Sequence, residues 1–303
     1  MKKITLLAVI SFCILFTKLY AQVGIGTATP NAAAVLHVDA GTSTTNGLLM
    51  TGTVDASATV PDLGAGTRLM FYPGKAAFRA GYVDGTQWDN GSVGPYSVAM
   101  GYGTTASGRY STALGIQTNA SGDYSTAIGI QTTASGDYST AIGYHVSTNG
   151  QRGAFIIGDT DPLIQGTSNS EFPDQFIARF NNGYYFMTNG DATLSGVHIN
   201  HNGNYWLSIC DKNRKENFEP LNGEDILQKL SAINFTSWNY KKQDPKVYRH
   251  YGIMAQDFNT AFGKDKYGVI GNDTTVNPID MIGIDMAAIQ ALVKRTTELK
   301  NDN

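Results

Sequence analysis

Tyr96-Ser97-Val98-Ala99-Met100-Gly101 is the first of four copies of one short motif in this chain. The motif returns every 14 residues, at Tyr110-Ser111-Thr112-Ala113-Leu114-Gly115, Tyr124-Ser125-Thr126-Ala127-Ile128-Gly129 and Tyr138-Ser139-Thr140-Ala141-Ile142-Gly143. An Ala-Ser-Gly triplet lies between successive copies, at residues 106–108, 120–122 and 134–136. A short, fixed period with a glycine-bearing turn in each unit is typical of a β-solenoid, in which every turn stacks on the one before it.

The volume inside such a turn predicts which side chains point inward. A turn of 14 residues encloses little space. Side chains along a strand alternate between two faces, so Ser111, Ala113 and Gly115 are expected to share one of them. If these small residues fill the interior, an apolar row that we call the outer ladder remains outside, made of Met100, Leu114, Ile128 and Ile142. A contiguous apolar row on a surface indicates an interface. The alternative that stays open is a monomeric solenoid with the large residues inside.

The repeats resemble the head repeats of trimeric autotransporter adhesins, and the resemblance covers about residues 92 to 158. It implies a left-handed parallel β-roll in which three chains associate around a shared apolar axis. The outer ladder is then the expected contact surface of a homotrimer. A fifth, degenerate copy of the repeat is predicted at Ala154-Phe155-Ile156-Ile157-Gly158. Farther along, residues 176–180 and 184–187 are predicted to form a hairpin around Asn181-Asn182-Gly183, because two apolar runs flank a turn signal.

The start of the chain predicts export. Two lysines precede an apolar run over residues 4–16, and a small residue stands just before Gln22. This is the pattern of a secretory signal peptide over residues 1–21. No later stretch approaches ~18 apolar residues, so we expect no membrane-spanning segment in the rest of the chain. With the signal peptide removed, Cys210 is the only cysteine, and no internal disulfide can form.

Charge and composition argue against several classes of partner. The 22 Lys and Arg residues and 25 Asp and Glu residues give a net charge of −3 and are scattered, so neither nucleic acid nor an anionic membrane is implied. His198 and His201 lack a carboxylate or cysteine at a suitable spacing, so no metal site is predicted, and no cofactor either. Asp123 and Asp137 are interpreted as a solvated edge of the solenoid rather than a glycosidase pair.

A different kind of sequence begins near residue 210. Charged residues become frequent, and a thiol and an amine stand five residues apart at Cys210 and Lys215. A thiol that is deprotonated by an adjacent amine can attack the carbonyl of the preceding residue. The competing interpretation of Cys210 is a small buried hydrophobe, where most free cysteines are found. Apolar residues recur at helical spacing between Asp280 and Lys300, which predicts one amphipathic helix.

This region resembles the endosialidase-type intramolecular chaperones, the C-terminal trimerisation domains of phage tail spikes and related fibre proteins. The resemblance rests on residues 210–218, 238–240, 250–258 and 284–292. The family usually has Ser-Asp-x-x-x-Lys at the first motif, where Ser attacks the peptide bond on its own N-terminal side and Lys is the base. The resemblance therefore implies a nucleophile at Cys210, a base at Lys215, and supporting roles for Asp211, His250 and Gln256.

These features together predict a mostly β, exported, homotrimeric fibre or adhesin-like protein, secreted from or displayed on a bacterium. Its small α/β C-terminal domain would act as an intramolecular chaperone for trimer assembly, with autoproteolysis at Ile209–Cys210 as a further expectation. Any enzymatic activity is at most a single-turnover self-cleavage. The expected order is a signal peptide over 1–21, a β-rich fibre segment over 22–91, head repeats over 92–158, a β connector over 159–206 and the chaperone domain over 207–303.

Two alternatives come from other functional classes. The solenoid could be a module that binds glycan or ice through stacked threonines at Thr118 and Thr132, with a non-cleaving C-terminal cap. Interruption of that row by Gln117 and Gln131 counts against it. The protein could also be an enzyme acting on an outside substrate, but the sequence displays no convergent acid and base residues for such a pocket.

Overall fold

A computed structural model describes residues 22–42, 47–55, 57–159, 167–188 and 195–302. The predicted signal peptide lies outside the described residues. The chain forms two compact units, which we call the N-terminal and C-terminal units. The first contains the described residues up to Tyr184 together with Asn200–Asn204, and the second contains Tyr185–Ile199 and the described residues from Tyr205 onward. Within the described residues, none of the helices combines the length and the apolar character needed to cross a bilayer.

The N-terminal unit is built almost entirely from short strands. They are, in chain order, β1 (Val23–Ile25), β2 (Leu36–Val38), β3 (Gly66–Tyr72), β4 (Ala77–Val83), β5 (Val98–Tyr102), β6 (Thr105–Ala106), β7 (Thr112–Ile116), β8 (Asn119–Ala120), β9 (Thr126–Ile130), β10 (Thr133–Ala134), β11 (Thr140–Tyr144), β12 (Val146–Ser147), β13 (Phe155–Gly158), β14 (Ser168–Asn169) and β15 (Phe176–Arg179). β1 and β2 pair with each other in a small parallel sheet. The remaining strands form the solenoid and its ends.

Two sheets make up the walls of the solenoid. The larger has eight strands in the order β15-β13-β11-β9-β7-β5-β4-β3, and the smaller has five in the order β14-β12-β10-β8-β6. Neighbouring turns pair in parallel and in register with the repeat, so that Leu114 lies beside Ile128 and Ile128 beside Ile142. Ile142 also pairs with Ile157, which confirms the degenerate fifth turn. The spacing shows that this turn is one residue longer than the others. The predicted β-solenoid is therefore confirmed.

Small side chains fill the interior, as the volume of the turn predicts. The buried rows are Ala99, Ala113, Ala127 and Ala141; Ala106, Ala120, Ala134 and Thr148; Ser97, Ser111, Ser125 and Ser139; and Thr104, Thr118, Thr132 and Val146. The hydroxyls of Ser97, Ser111 and Ser139 are accommodated by short local bonds, such as the one that Ser111 Oγ donates to the carbonyl oxygen of Gly108 at 2.6 Å. The alternative of a solenoid with its large residues inside is wrong, because these rows leave no room for them.

Both ends of the narrow interior are closed by large side chains that lie outside the repeat. At the N-terminal end Trp88 is fully buried and donates from Nε1 to the carbonyl oxygen of Thr104 at 2.9 Å. Arg79 is also buried there and donates to the carbonyl oxygens of Ser97 and Ala106, each at 3.0 Å. Burial lowers the pKa of the Arg79 guanidinium to about 10. At the other end Arg179 donates to the carbonyl oxygen of Tyr144 at 2.9 Å.

The hairpin predicted over residues 176–187 is wrong. β15 pairs in parallel with β13 and extends the large sheet, with Ile177 beside Ile156. The next strand, β16 (Gly183–Met187), joins a different sheet with β17 (Gly196–Asn200) and β18 (Leu207–Ser208). The cause is burial, since Ile177 packs against the apolar interior of the solenoid. A local turn signal is outweighed when one strand can bury a side chain on an existing core.

The C-terminal unit contains three helices and a short antiparallel pair. The helices are α1 (Gly223–Ala232), α2 (Ala255–Phe262) and α3 (Pro278–Asn301), and the paired strands are β19 (Thr236–Trp238) and β20 (His250–Gly252). Ile226, Phe258, Phe262 and Ala288 form its buried core. The side chain of Asn222 caps α1, and that of Asn277 caps α3 immediately before Pro278, which suits the first helical position.

The helix predicted between Asp280 and Lys300 is confirmed as α3. Its small side packs inward, where Ala288 and Ala291 are buried. An exposed hydrogen-bonded ion pair between Arg295 and Glu224 joins α3 to α1, and this bond lowers the pKa of the Glu224 carboxyl below its usual value. Met281 and Ile284 also pack against this core, whereas most of the other large apolar residues of α3 are exposed, including Ile282, Met286, Ile289, Leu292, Val293 and Leu299.

Candidate functional site

The turn after β18 brings together the two residues predicted to carry chemistry. Asp211 begins a short 3-10 turn over Lys212–Arg214, and its Oδ1 accepts a hydrogen bond from the backbone N–H of Asn213 at 2.9 Å. The backbone N–H of Lys215 donates to the carbonyl oxygen of Lys212 at 3.1 Å and closes the turn. Aspartate suits this capping position because its short side chain reaches the free N–H groups of a turn.

Lys215 and Cys210 are in direct contact as a result. Lys215 Nζ lies 2.9 Å from Cys210 Sγ and donates a hydrogen bond to it. Cys210 is exposed, so its interpretation as a small buried hydrophobe is wrong. An amine this close to a thiol can take its proton, and the thiolate is the reactive form of cysteine. The arrangement can therefore generate a nucleophile next to the Ile209–Cys210 peptide bond.

The three predicted supporting residues lie in different settings. Asp211 is the cap of the turn, and its Oδ2 lies 3.7 Å from Arg214 Nε. The His250 ring stacks on Trp238 with 4.6 Å between ring centroids, and Gln256 is an exposed residue of α2. Among the described residues, none of these three side chains forms a hydrogen bond with Cys210 or Lys215. Their supporting roles stay predictions.

The residues considered for metal or glycoside chemistry have other partners. The His198 ring stacks on Tyr185 with 4.9 Å between centroids. Asp137 accepts a hydrogen bond from the backbone N–H of Asp123 at 3.0 Å, and Asp123 accepts one from the backbone N–H of Arg109 at 2.9 Å, so each carboxylate ties one turn to the next. Across the part of the chain that the structure describes, no group of three or more His, Cys, Asp or Glu residues is placed to hold a metal ion.

A second candidate site is the outward face of the eight-stranded sheet. Met100 is 42% exposed, while Leu114, Ile128 and Ile142 are half-buried, and all four lie side by side in the sheet. The register continues this row beyond the repeat to Leu69, Ala80, Ile157 and Ala178. Leu69 is 75% exposed. The position of Leu69 in this row could not be predicted from the repeat. Leu69 belongs to β3, which lies outside the repeat and pairs with β4 in the antiparallel direction.

A second apolar row runs parallel to the outer ladder on the same face. It is formed by residues two positions farther along each strand, namely Tyr82, Tyr102, Ile116, Ile130 and Tyr144. Ile116 is 44% exposed and Ile130 is 39% exposed. The signal for this row was present in the period-2 alternation of each repeat. The two rows together make the face broader than the predicted ladder.

The proposed glycan- or ice-binding face is wrong in the form that the sequence suggested. Thr118 and Thr132 are fully buried inside the solenoid. The backbone corners at Gln117 and Gln131 have positive φ angles of 50° and 51°, and they turn the following threonine inward. Stacked threonines at these positions therefore offer no surface to a ligand.

Comparisons with known proteins agree with both parts of this architecture. Residues 92–118 and 120–145 match two copies of the YadA head domain repeat. Residues 210–265, which include Cys210 and Lys215, match the family described as chaperone of endosialidase. No curated protein matches the chain. The chain carries YadA-type head repeats followed by a C-terminal endosialidase-type chaperone domain.

Proposed function

We propose that this protein is an exported, homotrimeric fibre or adhesin-like protein whose C-terminal domain is an intramolecular chaperone for trimer assembly. The observation that carries the proposal is the broad apolar face of the head repeats in a chain that also has a chaperone domain. A face with two parallel apolar rows is costly to leave in water. Three chains that turn these faces toward one axis would bury all of them.

The exposed side of α3 supports the same assembly. Ile279, Ile282, Met286, Ile289 and Val293 follow the alternating three- and four-residue spacing of a coiled-coil seam, and all five are exposed. Isoleucine at both kinds of seam position favours three or more strands over two. The seam covers only about two heptads, which is too short to hold helices together alone. It would add to the interface of the head repeats.

The domain organisation belongs to the same proposal. A signal peptide over residues 1–21 would direct export, a β-rich segment over 22–91 would precede the head repeats over 92–158, and a connector over 159–206 would lead to the chaperone domain over 207–303. The mature protein would be secreted or displayed on the cell surface. Head repeats of the adhesin type and a fibre-type chaperone support an extracellular location.

Removal of the C-terminal domain tests the chaperone role. Parallel strands of neighbouring turns pair slowly and expose unpaired edges meanwhile, so a chain that ends at Ile209 is expected to aggregate or to stay unassembled. The chain from Gln22 to Asn303 is expected to give soluble trimers when its mass is measured by light scattering after gel filtration. The Cys210→Ala chain is the control and should assemble as well as the parent, because chaperoning does not need the thiol. Native trimers from residues 22–209 alone would show that the domain is dispensable.

We also propose that the Cys210–Lys215 pair starts autoproteolysis. Lys215 Nζ takes the proton of the thiol, and Sγ attacks the carbonyl carbon of Ile209. As the C–N bond breaks, the lysine returns the proton to the departing nitrogen. Ile209 is then held as a thioester on Cys210, which now has a free α-amine. Water can hydrolyse the thioester and release residues 210–303.

Hydroxylamine provides a direct test for the thioester. Added to the folded protein, it should cut the chain at Ile209–Cys210 and release a fragment of 94 residues, since 210 to 303 inclusive is 94. Cys210→Ala and Lys215→Ala should each abolish the fragment, as seen by intact mass spectrometry. Lys212→Ala is the matched control and should cleave normally, because Lys212 Nζ lies over the Phe218 ring rather than beside the thiol. Resistance of the assembled parent protein to hydroxylamine, together with an intact Ile209–Cys210 peptide bond in peptide mapping, would rule out the thioester.

A further inference from the structure

We infer that Lys215 is also the acceptor of the acyl group: its Nζ captures the thioester and joins Ile209 to the Lys215 side chain by an isopeptide bond. This inference rests on the proposed thioester at Cys210. It gives the lysine two consecutive roles, first as base and then as nucleophile. The outcome is a rearranged chain that stays covalently continuous, in competition with release of residues 210–303.

The proton balance leaves the lysine ready for the second role. The proton that Lys215 takes from the thiol is passed to the α-nitrogen of Cys210 when the amide breaks. The amine is therefore neutral again at the moment when the thioester exists. Its nitrogen attacks the Ile209 carbonyl carbon, the N–C bond forms and the C–S bond breaks. The nitrogen gives up one proton and Sγ takes up one, so no oxidant, reductant or outside reagent is needed.

The geometry of the turn places this amine next to the reacting carbon. Lys215 Nζ lies 2.9 Å from Sγ, and in the thioester the Ile209 carbonyl carbon is bonded directly to Sγ. The 3-10 turn capped by Asp211 brings the backbones of the two residues close enough for this contact. Well-oriented groups held in such contact can react as if present at concentrations that reach roughly 10⁵ M. We therefore expect capture by Lys215 to exceed hydrolysis by at least ~10-fold.

Competing partners do not hold the lysine away from the thioester. Among the ion pairs of the described residues, none involves Lys215, and the Asp211 carboxylate faces Arg214 and the N–H of Asn213. Lys212, the other amine of the turn, lies over the Phe218 ring at 5.9 Å from its centroid. Attack by the α-amine of Cys210 only restores the original peptide bond, so Lys215 is the lysine that the structure assigns to the new bond.

The presence of cysteine instead of serine matters for this second step. A thiolate is a far better leaving group than an alkoxide, because thiols are much stronger acids than alcohols. An ester on serine would therefore resist attack by the amine for longer and leave more time for water. A Cys210→Ser chain is expected to form the isopeptide at least ~10-fold less than the parent, whatever its rate of cleavage.

Peptide mapping of the folded, full-length protein tests the inference, because the rearranged chain has an unchanged intact mass. Trypsin acting on the unrearranged chain gives a peptide over residues 180–212. In the rearranged chain the expected products are a free tripeptide, Cys210-Asp211-Lys212, and a branched peptide in which residues 180–209 are attached to Lys215 of residues 215–229. Trypsin does not cut after an acylated lysine. Cys210→Ala should abolish the branch, and Lys212→Ala should keep it.

The possible results separate this inference from the proposal on which it rests. A branched peptide that decreases as hydroxylamine is added, while the fragment of residues 210–303 increases, would support both. Release of that fragment without any branched peptide would leave autoproteolysis standing and overturn the capture by Lys215. An intact peptide over residues 180–212 and no effect of hydroxylamine would overturn both.

Discussion

Replacing Leu114 and Ile128 together by aspartate is expected to abolish the trimer. Both residues lie in the centre of the outer ladder, in adjacent turns, with their backbones in register. In the proposed assembly each chain would bring two carboxylates into a shared apolar interface, and an unpaired buried carboxylate costs several kcal/mol. The expected product is a monomer by light scattering or an unassembled aggregate, in place of the trimer that the parent chain gives.

The control for this variant places the same charges elsewhere on the same turns. Gln117→Asp and Gln131→Asp are also one turn apart, so their mutual repulsion is similar, but they lie at the exposed corners of the solenoid. Aspartate tolerates the positive φ of these corners better than most residues. This control should remain a trimer. A trimer in the Leu114→Asp, Ile128→Asp chain would show that the outer ladder is not the interface.

The repeat itself could be predicted because several simple constraints agree. The 14-residue period fixes the length of one turn, and that length favours Ala, Ser and Thr inside, with larger residues such as Val146 and Ile156 buried only in the last turns. Alternation along the strand then determines that Leu114 points outward. Each of these steps uses only residues close in sequence. The prediction that Thr118 lies on the surface failed because alternation was assumed to continue past the strand. Thr118 follows a corner at Gln117, where the positive φ turns the next side chain inward.

The ends of the solenoid could not be predicted, because they depend on contacts between distant residues. Arg79 reaches the carbonyl oxygen of Ala106, 27 residues away, and Trp88 reaches that of Thr104. Nothing in the local sequence distinguishes this arginine from an exposed one such as Arg109. The parallel addition of β15 has the same origin, since its partner β13 lies beyond a connection of more than a dozen residues.

For the candidate site in the C-terminal unit, the residues Cys210 and Lys215 could be predicted from the sequence, but their arrangement in space could not. A spacing of five residues does not place an amine on a thiol, and the contact requires the 3-10 turn that Asp211 caps. Periodicity likewise identified α3 but could not tell which of its sides packs inward. The inward side carries Ala288 and Ala291 together with Met281 and Ile284, whereas most of the large apolar residues stay exposed.

Substitution of Gly115 by alanine is expected to prevent the solenoid from closing. Gly115 has a φ of +123°, and a Cβ there would lie 1.9 Å from the carbonyl oxygen of Gly129 in the next turn. The obstacle is backbone, so no side-chain rotation can relieve it, and the hydrogen bonds of the sheet hold neighbouring strands about 4.8 Å apart. A Cβ would meet a backbone oxygen of the next turn in the same way at Gly81, Gly101, Gly129 and Gly143. One enlarged turn therefore cannot move aside without breaking the register of its neighbours.

We expect Gly115→Ala to lower the free energy of unfolding of the N-terminal unit by at least ~4 kcal/mol, from backbone strain and overpacking together. Urea unfolding followed by circular dichroism measures the change. Gly91→Ala is the matched control in the same unit, because a Cβ at Gly91 meets no atom within 4 Å. It should change stability by no more than ~1 kcal/mol. Equal stabilities for the two variants would mean that the turns can separate without cost, and the glycine row would then not determine how closely they stack.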